Sequence, residues 1–111
     1  MLRTSQYEVR ISNYAFCNLE EIYQYIAFND FKPTVASEVV AAIESKILKD
    51  IPSFPTFYPE CPARRTKSKI YRQAMCKNYK VIFKVEGKVI SIIGIVHSSR
   101  SASFIKKIPS K

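Results

Sequence analysis

The chain opens on an alternation: Tyr7, Val9 and Ile11 are apolar while Glu8, Arg10 and Ser12 are polar. This is the period of a strand with one buried face, and it predicts β-structure over residues 6–12. The spacing then changes to three and four at Phe16, Leu19, Ile22, Tyr23 and Ile26, which predicts a helix with one apolar stripe. Asn13 is placed to cap it, and it is expected to run to about Phe28. Pro33 suits the first turn of a second helix, whose apolar face continues through Ala36, Val39, Val40, Ile43, Ile47 and Ile51 until Pro52 stops it. Two helices joined by a few residues form a hairpin.

Periodicity lapses over residues 52–69, where Pro52, Pro55, Pro59 and Pro62 precede Arg64, Arg65, Lys67 and Lys69. A loop with a basic tip is expected there. Three strand-like runs follow, Ile70–Cys76, Tyr79–Glu86 and Val89–His97, joined by Lys77-Asn78 and Gly87-Lys88. Such short connections imply an antiparallel meander. In the middle run Tyr79, Val81, Phe83 and Val85 point one way and Lys80, Ile82 and Lys84 the other. A short last helix over Ser101–Ile108 is weakly signalled. The expected fold is α+β in two layers, ordered β-α-α-β-β-β with a short C-terminal helix. An N-terminal strand and a helical hairpin pack on a largely antiparallel sheet whose other face is left free for a partner.

The 111 residues suit one core rather than two, so residues 1–111 are expected to form a single domain. No run approaches the roughly 18 apolar residues of a membrane span. Residues Met1 to Tyr7 lack the apolar stretch of a secretory signal, so a cytoplasmic protein is expected, with no membrane partner. Cys17, Cys61 and Cys76 have no C-x-x-C spacing and read as reduced thiols. With a single histidine, no metal site and no cofactor are expected. Charge changes the picture most. Residues 1–60 carry five Lys/Arg and eight Asp/Glu, whereas residues 61–111 carry thirteen Lys/Arg and only Glu86. The second half is a cationic surface, which attracts polyanions in a salt-dependent way.

His97, at the predicted end of the last strand, is followed by Ser98, Ser99 and Arg100. An imidazole beside cations can act as general acid or base on a phosphodiester while arginines stabilise the transition-state charge. Arg72 and Lys80 lie on neighbouring predicted strands and form a cationic cleft with His97 if the register brings them together. If it does not, they are solvated charges on an open sheet face. Arg64, Arg65, Lys67, Lys69, Lys84, Lys106, Lys107 and Lys111 suit phosphate contacts that position without reading sequence. Phe57, Tyr58, Tyr71 and Phe104 are candidates to stack on bases, or else core aromatics. No phosphate-binding glycine loop, nucleophile elbow or helically spaced carboxylate pair is present in the sequence.

Taken in order, several segments resemble the RelE/ParE superfamily of bacterial toxins. They are Tyr7–Ser12, Leu19–Ile26, Pro52-Ser53-Phe54-Pro55, Tyr71-Arg72, Asn78–Val85 and His97-Ser98-Ser99-Arg100. The resemblance implies a compact toxin of a type II pair, neutralised by a cognate antitoxin whose C-terminal segment wraps it. Operator DNA would be bound only through the antitoxin complex. It also implies one of two activities: ribosome-dependent mRNA cleavage in RelE-like members, or poisoning of DNA gyrase in ParE-like members. By the resemblance, Arg72 falls near the strand arginine of the ribonucleases, Lys80 takes the place of a common arginine, His97 that of a catalytic histidine, and Phe104 that of a C-terminal tyrosine. Lysine lacks the bidentate fork of arginine, and phenylalanine lacks a hydroxyl. The His97-x-x-Arg100 ending also resembles ParE-like sequences. The expectation is a metal-independent endoribonuclease acting on ribosome-bound mRNA. In it His97 is acid or base, Arg72 and Arg100 hold phosphate and Lys80 stabilises charge. Gyrase poisoning stands as the alternative, and an inactive homologue that only binds its antitoxin as the third reading.

Overall fold

The structure is a computed structural model that describes residues 7–109. Strand β1 (Glu8–Ile11) leads into helix α1 (Asn13–Gln24), which continues through a wider π-type turn to Asn29. Gln6, the expected first residue of the strand, and the Met1 to Gln6 leader reading lie outside the described residues, as does Lys111. Ser12 rather than Asn13 caps α1. Its Oγ accepts the Ala15 N–H at 3.0 Å, and Asn13 is already helical. The cap sets the phase of the buried stripe, which is Ala15, Asn18, Leu19, Ile22 and Ile26. Phe16 is turned about 100° from Ala15 and is exposed, as is Phe28.

Helix α2 (Pro33–Ser45) begins at Pro33 as expected and runs through a second π-type turn into the short α3 (Ile51–Ser53). Ala36, Ile43, Ile47 and Ile51 are its buried face. Phe31 links the two helices with a backbone φ of 57°, in the left-handed region. The proline-rich segment folds into 3-10 turns at Pro55–Phe57 and Pro62–Arg64.

Strands β2 (Tyr71–Cys76), β3 (Tyr79–Glu86) and β4 (Val89–His97) form the antiparallel meander, and β1 joins β4 in parallel, giving the order β1-β4-β3-β2. The sheet is thus mixed at one edge only. Both two-residue turns open with a left-handed residue, Lys77 (φ 56°) and Gly87 (φ 61°). One sheet face meets α1 and α2 in the main core, through Ala74, Val81, Phe83, Ile90, Ile92 and Ile95.

The α+β fold is as expected, but the other sheet face is not left free for a partner, because the expected short C-terminal helix lies on it. Helix α4 (Ala102–Lys106), capped by Ser101, and the Pro62–Arg64 turn cover it with a second core of Cys61, Tyr71, Ile82, Ile93, Val96, Ile105 and Ile108. Gly94 permits this. A Cβ there would stand 3.0 Å from Ile108 Cδ1. The apolar residues that close this layer, Ile105 and Ile108, are too few to show helical periodicity in the sequence.

Candidate functional site: a groove between the first helix and the end of the last strand

A single irregularity decides which side chains meet. The pairing of β3 with β4 runs Tyr79 to His97, Lys80 to Val96, Val81 to Ile95 and Ile82 to Gly94, then jumps to Phe83 with Ile92. Ile93 is therefore the extra residue of a β-bulge. Ile92 and Ile95 both enter the main core, while Ile93 and Val96 both enter the second, so the two-residue alternation slips by one. Helix α1 fastens the bulge. Ser12 Oγ donates to the Ile93 carbonyl at 3.3 Å, and Asn18 Oδ1 accepts the Ile95 N–H at 2.9 Å.

The slip turns His97 to the helix side of the sheet, where its ring meets the Tyr79 ring edge-on at 5.3 Å. Its Nδ1 accepts the Ser99 N–H at 3.1 Å and lies 2.7 Å from Ser99 Oγ. The neutral ring therefore carries its proton on Nε2, the nitrogen left for a ligand. Arg100 follows in a turn closed by its N–H to the His97 carbonyl, and its guanidinium lies 4.6 Å above the Phe104 ring. His97, Arg100 and Phe104 line one side of an open groove of about 1010 Å³; Tyr14, Asn18 and Glu21 of α1, with Tyr25 of the π-type turn that continues it, line the other. Burial, with smaller contributions from Asp30 and Tyr25, pushes the Tyr79 phenol above its ordinary range, so it stays protonated.

The expected cationic cleft is not assembled. Arg72 pairs with Phe83 and Lys80 with Met75, so the two side chains lie on opposite faces of the sheet. Arg72 shares the helix-side face with Ala74 and Cys76, but it lies four residues along β3 from the Tyr79–His97 pair, or about 13 Å at the usual strand rise. Its guanidinium instead donates to the carbonyls of Tyr58 at 2.7 Å and Thr56 at 3.4 Å, tying down the proline-rich segment. Lys80 is on the second face, the one covered by α4. Of the expected catalytic set, the structure brings together only His97 and Arg100.

The expected phosphate contacts also divide. Arg64 is 8 % exposed, with its guanidinium donating to the Ile105 and Lys106 carbonyls and lying over the Tyr71 ring, so it is committed to holding α4. Lys84 is 9 % exposed and 3.5 Å from Glu86, because its strand position faces the covered side of the sheet. Phe104 is half-buried beneath Arg100. Arg65, Lys67, Lys69, Lys106 and Lys107 remain exposed. The α1 wall of the groove was not anticipated. Its signal is the spacing of Tyr14, Asn18, Glu21 and Tyr25 by four, three and four residues, a second stripe beside the apolar one.

A helical hairpin on one face of a mixed four-stranded sheet, with a short C-terminal helix on the other, defines a small α+β toxin fold of the RelE/ParE kind. The structure is similar to a solved chain described as the chromosomal ParDE toxin-antitoxin system of P. aeruginosa, with a TM-score of 0.65 and 20% identity, covering 83% of this chain and 96% of that one. It is also similar to a chain from the RelBE2 toxin-antitoxin complex of Mycobacterium tuberculosis, with a TM-score of 0.57 and 16% identity over 82% and 96% of the two chains. Among curated protein sequences none matches. The family model described as the ParE toxin of the type II toxin-antitoxin system parDE matches residues 9–102. The chain belongs to this ParE toxin family.

Proposed function

We propose that this toxin acts by binding a protein target, DNA gyrase, and does not itself cut mRNA. The observation that carries this reading is the dispersal of the groups a ribonuclease would need. Arg72 is bound to backbone carbonyls, Lys80 is on the other face, and among the described residues Arg100 is the one cation that lines the groove with His97. A phosphodiester transition state needs several charges converging within hydrogen-bond reach of one oxygen. The family match, which is to the ParE branch, points the same way. The groove of His97, Arg100, Phe104 and α1 is then a recognition surface: aromatic walls supply apolar contact, and the Arg100 fork, lying over Phe104, presents donors to a carboxylate. A cognate antitoxin neutralises the toxin by occupying surface that the target requires.

Expression in Escherichia coli from a tight promoter tests this. DNA breaks with an SOS response, and mRNA ends unchanged in the first minutes, are expected. New mRNA ends with intact DNA would return the ribonuclease reading. Unimpaired growth without antitoxin would favour the inactive homologue.

A further inference from the structure

Folding converts the charge asymmetry of the sequence into an asymmetry between two sides of the molecule. Glu20, Glu21, Glu38, Glu44 and Asp50 are exposed on the helical layer. On the opposite side, α4 ends in the exposed Lys106 and Lys107, and buried Arg64 ties that helix end to the turn that precedes exposed Arg65. Next to it the loop bearing Lys67 and Lys69 is closed on itself. Thr66 Oγ1 accepts the Lys69 N–H at 3.0 Å and donates to the Lys69 carbonyl at 2.9 Å. Lys80, partly exposed, faces this side of the sheet, the side on which Cys61 is buried. Among the described residues none of these six cations has a carboxylate within ion-pair distance, whereas Lys46 and Lys84 do.

Unpartnered cations fixed on a rigid platform retain counter-ions that a polyanion's phosphates replace, and the release of the phosphates' own counter-ions drives association. The kind of polyanion follows from what this side lacks. Single strands are held by aromatic rings on which splayed bases stack. Here Tyr71 is 3 % exposed beneath Arg64, and Phe104 lies under Arg100. The exposed aromatics Phe16, Tyr25, Phe28 and Phe31 belong to the helical hairpin, and exposed Phe54 and Phe57 to the proline-rich segment, which packs through Tyr58 on Phe83 at the helix-side face of the sheet. A cationic surface that carries no exposed aromatic ring among the described residues suits a paired duplex.

We propose that the side bearing Arg65, Lys67, Lys69, Lys80, Lys106 and Lys107 binds the phosphate backbone of duplex DNA without base specificity, holding the free toxin on DNA. Binding to naked duplex requires neither gyrase nor antitoxin, so this surface stands or falls separately from the proposed target.

The test is fluorescence anisotropy of the full chain with a duplex of random sequence, titrated across salt. With a slope of about −0.9 per phosphate contact, six contacts give a log–log salt slope of about −5. The Lys67→Gln, Lys69→Gln, Lys106→Gln, Lys107→Gln variant is expected to flatten the slope by about 3 to 4 units and weaken binding at least tenfold. Its side chains are exposed, so its melting temperature is expected to match the wild type. Lys32→Gln with Lys49→Gln, on the helical layer, is expected to change neither. A wild-type slope near zero, an unchanged slope in the quadruple variant, or tighter binding of a single-stranded RNA of equal length would overturn the proposal.

Discussion

In β4, Ile93 stands opposite no residue of β3, and the consequence is felt four residues later at His97. With strict alternation His97 would share a face with Lys80; the bulge puts it beside Tyr79 and α1 instead. The run Val89–Val96 is apolar apart from Ser91 and Gly94, so it carries no polarity pattern from which a one-residue slip can be read. Asn18, together with Ser12, fastens this arrangement. Asn18→Ala removes the acceptor of the Ile95 N–H in a buried setting, and a loss of about 1–3 kcal/mol is expected in urea denaturation. An unchanged midpoint would mean that the bulge holds itself. Cys61 gives a second residue-level expectation. Burial, partly opposed by backbone hydrogen bonds and nearby cations, pushes its thiol upward, and burial does the same at Cys76. A raised folded-state value adds stability that is complete below the unfolded thiol's value, about 8.5, and is lost as pH rises through the folded one. Stability is therefore expected to fall as pH rises past the unfolded thiol's value, less steeply in Cys61→Ala. An identical slope in the variant would remove Cys61 as the cause.

Among the elements, those with a clean period were legible. The α2 stripe from Ala36 to Ile51 and the meander with its two short turns can be read directly from spacing. Helix α1 was legible in extent but not in phase, because Ser12 and Asn13 are both good caps and only the fold selects Ser12. The α4 layer escaped because it is held by Arg64, which in a run of four cations looks like one more solvated charge. Arg64→Ala is expected to cost about 2 kcal/mol or more, by loss of charged hydrogen bonds to buried carbonyls. Hydrogen exchange should then show the α4 amides losing protection first. If α4 keeps its protection, the apolar contacts of Ile105 and Ile108 suffice to dock it.

For the molecule as a whole, the charge segregation was plain in the sequence, but its meaning depended on which groups the sheet register brought together. A nuclease reading required Arg72, Lys80 and His97 at one place, and the register distributes them over two faces and two ends. What stays together is the groove of His97, Arg100 and Phe104 and, on the far side, a basic surface without ion-pair partners among the described residues. The two have separate consequences: substitutions in the groove should abolish toxicity, and those on the basic side should flatten the salt dependence of duplex binding. Arg100→Ala, which removes the fork from the groove, is expected to weaken target binding tenfold or more while leaving the melting temperature unchanged, since the side chain is exposed and stacks on Phe104 alone. Wild-type affinity in that variant would place recognition elsewhere. The central claim is tested most directly by adding the purified protein to DNA gyrase and relaxed plasmid and following supercoiling on a gel. Dose-dependent loss of supercoiling is the result expected here; undisturbed supercoiling by the same preparation that cuts mRNA on translating ribosomes would contradict it.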